Sequence, residues 1–157
     1  MNTAQKIITK LKLKPHPKEG GFFIETYRSK DKNKKRSIAT AIYFFLTPKT
    51  FSSMHKLDSD EIFHFYAGDP VEILQLHPNG KGEIIILGND VFKGMQPQVI
   101  VKKNVWQGSR LIKGGKFALL GTTVSPGFEY KDYHDGDKEI LIKKYPRFKK
   151  IISALTR

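Results

Sequence analysis

The stretch HKLDSDEIFHFYAG, residues 55–68, places His55, Glu61 and Gly68 in one short segment. An imidazole with a carboxylate can ligate a divalent metal or move a proton near neutral pH. Position 57, where a second histidine would complete a metal pair on one strand face, holds Leu57. Strand alternation puts His55 on a face with Ser53 and Leu57, and Glu61 on a face with Phe63 and Phe65. His64 falls on the opposite face with Ile62 and Tyr66 unless a bulge intervenes. His55 and Glu61 converge if the Asp58-Ser59-Asp60 turn folds one strand beside the other. A carboxylate on an aromatic, inward-looking face is costly to bury alone. Glu61 must then hold a metal, a protonated histidine or a hydrogen-bonding substrate group. The plainer alternative is a satisfied internal His–Glu pair with no turnover.

A second informative stretch is KKNVWQGSRL, residues 102–111, in which Gln107 shares a face with Val105 and Ser109, and Trp106 with Arg110. In FFIETYR, residues 22–28, Tyr27 shares a face with Phe23 and Glu25 and is a candidate proton donor or substrate contact. Arg28 and Arg110 serve as anion contacts only if they reach a pocket mouth. The remaining histidines read as structural: His16 in a proline-flanked loop, His77 at a hairpin, and His134 in a solvated turn before a C-terminal helix.

The elements that must position these residues follow from periodicity and punctuation. The spacing predicts a short helix over residues 3–13, broken by PHPKEGG, and a helical tail after residue 128. Between them lie nine strand-like runs: 22–28, 37–46, 51–57, 61–67, 71–77, 83–88, 97–101, 105–111 and 117–124. Short strands at near-regular spacing predict an all-β sandwich or barrel. The whole chain, residues 1–157, reads as one domain without repeat or linker. No cysteine is present, which excludes disulfides, thiolate catalysis and cysteine-based metal sites. The N-terminus lacks a signal-peptide pattern, and the longest apolar run, AIYFFL, is too short to span a bilayer, so a soluble cytoplasmic protein is expected. The net charge of +13 raises nucleic acid as a partner. Its two dense patches, KDKNKKR and IKKYPRFKK, read as an exposed loop and the outer face of an amphipathic helix, with no nucleic-acid-binding motif beside them.

His55-x5-Glu61-x6-Gly68 resembles the first motif of the cupin superfamily, with Leu57 in place of its second histidine. The second cupin motif, Pro-x-Gly-x-x-His, falls on Lys102, Asn104 and Gln107, all three changed. Across the chain, PHPKEGGFFIETYRS, HKLDSDEIFHFYAGDP, LGND, PQVIVKKNVWQG and GTTVSPGFEY resemble one family of small single-domain cupins without an assigned activity. That resemblance implies a jelly-roll β-barrel with short terminal helices, a homodimer, and one pocket inside each barrel. EGGFFIETYR also resembles the opening strand of dTDP-sugar 3,5-epimerases, metal-free cupins that use a histidine base assisted by a tyrosine, with Phe23 and Glu25 as the equivalents here.

Three readings follow. In the first, His55, Glu61 and Gln107 hold one weakly bound divalent metal. In the second, the same pocket performs metal-free epimerase- or isomerase-type chemistry, with His55 as base, Glu61 orienting it and Tyr27 as proton donor. In the third, it is a non-catalytic binding module. The expected pocket is lined by Phe23, Glu25, Phe63, Phe65 and Gln107, and its small-molecule ligand is expected to be anionic or sugar-like.

Overall fold

The computed structural model describes residues 2–157. Helix α1 (Thr3–Lys10) begins at Asn2, whose side chain accepts the Gln5 backbone N–H, the usual way to satisfy a helix's first donors. Thirteen strands follow: β1 (Lys14–Pro15), β2 (Phe22–Arg28), β3 (Lys32–Asn33), β4 (Arg36–Ser37), β5 (Thr40–Leu46), β6 (Ser52–Leu57), β7 (Asp60–Gly68), β8 (Val71–Leu76), β9 (Gly82–Leu87), β10 (Gln98–Val101), β11 (Trp106–Leu111), β12 (Ala118–Ser125) and β13 (Tyr133–Asp135). Helices α2 (Lys138–Lys144) and α3 (Lys149–Ala154) close the chain.

Two antiparallel sheets form the body, one in the order β1-β2-β5-β12-β7-β10 and the other β13-β6-β11-β8-β9. This is the expected jelly-roll sandwich. The inner faces meet in a core that includes Phe44, Leu46, Phe63, Ile73, Leu87 and Leu120, each almost fully buried. The outer face of the five-stranded sheet is covered by α2 and α3, through Met54, Leu74 and Leu76 packed on Leu141, Tyr145 and Ile152. Gly108 has no side chain to keep Met54 and Leu155 apart there; a Cβ on it would lie 2.6 Å from the Met54 sulfur. On the outer face of the six-stranded sheet, Tyr27, Tyr66 and Ile100 stand about half exposed. No helix among the described residues is long and apolar enough to cross a membrane.

The sequence reading differs from the structure in three local places. The run 37–46 is two strands, because β4 leaves the large sheets and pairs with β3. KDKNKKR is therefore a hairpin, not a loop, with Lys34 and Lys35 at φ of 48° and 69° in a tight two-residue turn. The segment around His134 is an edge strand, β13, paired to β6 through Tyr133 with Leu57 and Asp135 with His55. Its backbone takes the ladder that β6 would otherwise offer to solvent.

Two glycines hold the chain where a Cβ would collide. Gly68, at the end of β7, has φ +97° and sits 2.3 Å, measured from an added Cβ, from the Phe117 carbonyl oxygen. Gly20, at φ +101°, leaves an added Cβ 2.3 Å from the Phe51 carbonyl oxygen, which fixes the approach of the loop carrying His16 and Glu19. Gly20→Ala should therefore destabilise the fold by about 2 kcal/mol or more in urea unfolding. An unchanged midpoint would show that this loop is not held as described.

Candidate functional site

A gradient of side-chain size along the strands makes one end of the sandwich solid and the other hollow. On β5, Phe44 and Leu46 fill the core while Thr40 and Ile42 line a cavity; on β12, Leu120 fills and Thr122 lines. On β7, Phe63 fills and Glu61 lines. The resulting cavity measures about 310 Å³, enough for a small organic molecule.

Two bulges decide which polar residues reach it. In β6, His55 pairs with Gln107 but Ser52 pairs with Ser109, so two residues oppose Gly108. Met54 thereby turns out to the helices, while Ser52 and His55 share the inner side at a spacing of three residues. In β2, Glu25 pairs with Ile42 and Arg28 with Thr40, with the register shift between Glu25 and Tyr27. Glu25 and Arg28 consequently line the cavity mouth, and Tyr27 is turned outward, 56 % exposed. An extra residue in a strand inverts the alternation beyond it, and that is why Tyr27 does not occupy the place given to it above.

Glu61 is buried and accepts a hydrogen bond of 2.7 Å from the Gln107 side-chain amide, which spans from one sheet to the other. Glu19 is also buried and accepts a short hydrogen bond from the Ser52 hydroxyl. Burial raises both carboxyls above their ordinary range, and in Glu61 the nearby Glu19 adds to the shift. His55, 2 % exposed, donates from Nδ1 to the Ser53 carbonyl at 2.7 Å, which leaves Nε2 unprotonated in the neutral ring. Burial lowers its pKa, against the pull of Glu61. His16 accepts the Glu19 backbone N–H on Nδ1 at 2.8 Å, and burial holds its pKa down at about 4. Tyr133 stacks on His55, with ring centroids 4.7 Å apart and planes at 13°. The Tyr133 hydroxyl is buried with no hydrogen-bond partner in the protein.

The structure thus brings His55, Glu61, Phe23 and Glu25 to one cavity, with Gln107 behind Glu61. Phe63 lies in the core and Phe65 packs against it, so neither lines the cavity. The aromatic wall comes instead from Phe23, Phe128, Tyr130 and Tyr133. His64 faces the outer surface beside Thr123, and Arg110 pairs with Glu72 away from the cavity. Sequence reasoning passed over His16, Glu19 and Tyr133. Glu19 follows a proline turn, where alternation says nothing of direction, and Tyr133 follows the regular strands. Their one signal was a concentration of His, Glu and Tyr in segments otherwise read as loop.

The full histidine set of the family motifs is not present, since Leu57 and Gln107 stand where those motifs have histidines. Gln107 donates its amide N–H to Glu61, Leu57 packs with Val124 and Tyr133, and His16 has its Nδ1 occupied. Among the described residues, no three His, Asp or Glu side chains stand together as metal ligands do.

The chain matches the family model of the Cupin superfamily (DUF985) over residues 5–135. Among solved structures, a Shewanella oneidensis protein superposes with a TM-score of 0.92 at 35 % identity, covering 100 % of this chain and 99 % of its own. A hypothetical protein from Leishmania major superposes with a TM-score of 0.90 at 31 % identity, covering 99 % of both chains. The oxalate decarboxylase of Bacillus subtilis matches at 13 % identity with a TM-score of 0.59, over 91 % of this chain and 37 % of its own, a likeness of fold alone. No curated protein matches. With a family match over most of its length and whole-chain relatives above 30 % identity, the chain belongs to the DUF985 family of the cupin superfamily.

Proposed function

We propose that the cavity binds a small, hydroxyl-bearing molecule and that His55 and Glu61 form a metal-free acid–base pair acting on it. The observation that carries this reading is the Tyr133 hydroxyl, buried beside His55 in a cavity wall without a protein partner. A buried donor left unmatched costs about 1–3 kcal/mol, and a ligand group supplies the match. His55 supports the chemistry: its tautomer leaves Nε2 as an acceptor, and its exclusion from water keeps it unprotonated. Glu61, raised by burial, is the complementary carrier of a proton. Tyr133 takes the role first given to Tyr27, that of a phenol beside the histidine.

The test is deuterium wash-in. Small aldoses and ketoses incubated with the protein in heavy water should gain deuterium beside the carbonyl, and His55→Ala should slow this by about a hundredfold or more. Binding without exchange would leave a ligand-binding module and reject the acid–base role.

Two further outcomes follow from the site. Untagged protein kept from nickel resin should contain well below one metal per chain by elemental analysis, unchanged in His55→Ala and Glu61→Gln; a stoichiometric metal lost in both variants would overturn the metal-free reading. The second outcome concerns pH. Because folding raises the Glu19 pKa, its contribution to stability is present below the ordinary carboxyl value of 4.5 and is lost as pH rises through the folded value. Glu19→Gln cannot ionise, so its stability relative to the parent should increase between about pH 5 and about pH 8 in thermal unfolding. A difference independent of pH would show Glu19 to be ionised throughout.

A further inference from the structure

Charge accounting inside the cavity is out of balance with the rest of the molecule. The chain carries a net charge of +13, yet the cavity lining holds four carboxyl groups, Glu19, Glu25, Glu61 and Glu129, against the single guanidinium of Arg28. At the mouth the charges are matched: Arg28 donates to both oxygens of Glu25, at 2.9 and 2.8 Å, and Glu129 pairs with Lys131 at 2.7 Å. At the floor they are not. Among the described residues, no lysine or arginine nitrogen comes within 4.0 Å of a carboxylate oxygen of Glu19 or Glu61, which accept from the neutral Ser52 hydroxyl and Gln107 amide; Arg157 meets Glu19 only at its backbone carbonyl oxygen, at 3.4 Å. Of the two imidazoles beside them, His16, at 3.9 Å from Glu19, accepts backbone N–H groups on Nδ1 and so is the uncharged ring, and burial holds the pKa of His55 down.

A second, independent feature marks the same place as built for a guest. Tyr133 is 6 % exposed, lines the cavity and presents a hydroxyl that no protein group meets. Its ring is already engaged, stacked on His55 and with the Lys18 ammonium 5.5 Å from its centroid, so the aromatic surface left to a guest is that of Phe23, Phe128 and Tyr130. Carboxyl groups and aromatic faces together are the chemistry that recognises organic cations.

We infer that the cavity floor is an ammonium-recognition site, in which the small molecule itself brings the positive charge that Glu19 and Glu61 lack. This rests on the small-molecule reading above and narrows it: the favoured ligand class is a hydroxylated amine, such as an amino sugar or amino alcohol. The anionic ligand suggested by the overall charge is disfavoured, since an anion would meet four carboxyl groups against one arginine that already donates to both oxygens of Glu25. The surplus positive charge lies instead on the outer surface, on lysines such as Lys34, Lys35 and Lys150.

The experiment is a ligand-observed NMR screen of the whole chain against three size-matched sets: glucosamine and small amino alcohols, glucose and the parent alcohols, and glucuronate and small hydroxy acids. Parallel screens use Glu19→Gln/Glu61→Gln, the two single variants and Tyr133→Phe, each checked for a native melting transition. The expected result is an affinity at least about tenfold higher for the ammonium set than for its neutral partners, abolished in the double variant and reduced by a lesser factor in each single one. Should the double variant unfold, the single variants carry the same comparison. Neutral compounds binding as well as ammonium compounds, or hydroxy acids binding better, would overturn the inference while leaving the small-molecule pocket standing. A preference unchanged by the Glu→Gln substitutions would also overturn it. Binding by none of the sets would reject both the inference and the reading beneath it. Calcium and magnesium chloride are included as controls, and competition of either metal with glucosamine at micromolar concentration would replace the organic cation by a metal ion and overturn the proposal.

Discussion

A carboxyl group taken out of water must be given partners, and in this chain that requirement bridges the two sheets. Glu61 rises from β7 of the six-stranded sheet and receives the amide of Gln107 from β11 of the five-stranded one. The bond stands where the packed core ends and the cavity begins, so it sets the spacing of the sheets at that point. Without it, Glu61 would face hydrocarbon on the Phe63 side and a second carboxyl, Glu19, on the other. A buried, unpaired carboxyl is among the costlier defects a small domain can carry. The same amide answers what became of a family position usually given to a metal ligand: it holds a carboxyl instead. Leu57, at another such position, has become apolar packing beneath Tyr133.

Much of the architecture was legible because one physical rule governs it. Residues 61–67 and 71–77 carry β-branched or aromatic side chains and end at Gly or Pro, and they fold as β7 and β8 within a residue or so. His55 and Glu61 were found for the same reason: both lie on the inner face of regular strands joined by a short turn. Gln107 was found from the matching phase of β11.

The rule fails wherever the period of two is interrupted. The bulge in β2 removes Tyr27 from the cavity and installs Arg28, and nothing in FFIETYR marks the extra residue. The bulge in β6 exchanges Ser53 for Ser52 as the inward serine, which in turn positions Glu19. Phe63 and Phe65 have the right phase and the wrong depth: alternation gives a face but not a distance along the barrel, and the size gradient that separates solid from hollow emerges only when β5, β7 and β12 lie side by side. His16, Glu19 and Tyr133 arrive from outside the regular strands, by contacts between residues far apart in sequence.

The cavity wall that carries Tyr133 differs in one respect from the others. β13 is three residues long, lies at the edge of its sheet and pairs only with β6. Just before it, Asp132 is pinned by Arg36 at the base of the β3–β4 hairpin. A segment hinged at such an ion pair and fastened by one short ladder can separate while every central strand keeps both neighbours. The sandwich therefore has one wall that can move on its own: β13 can part from β6 while the packed core stays closed, and how often the Tyr133 side of the cavity loosens is set by this edge rather than by the stability of the whole fold.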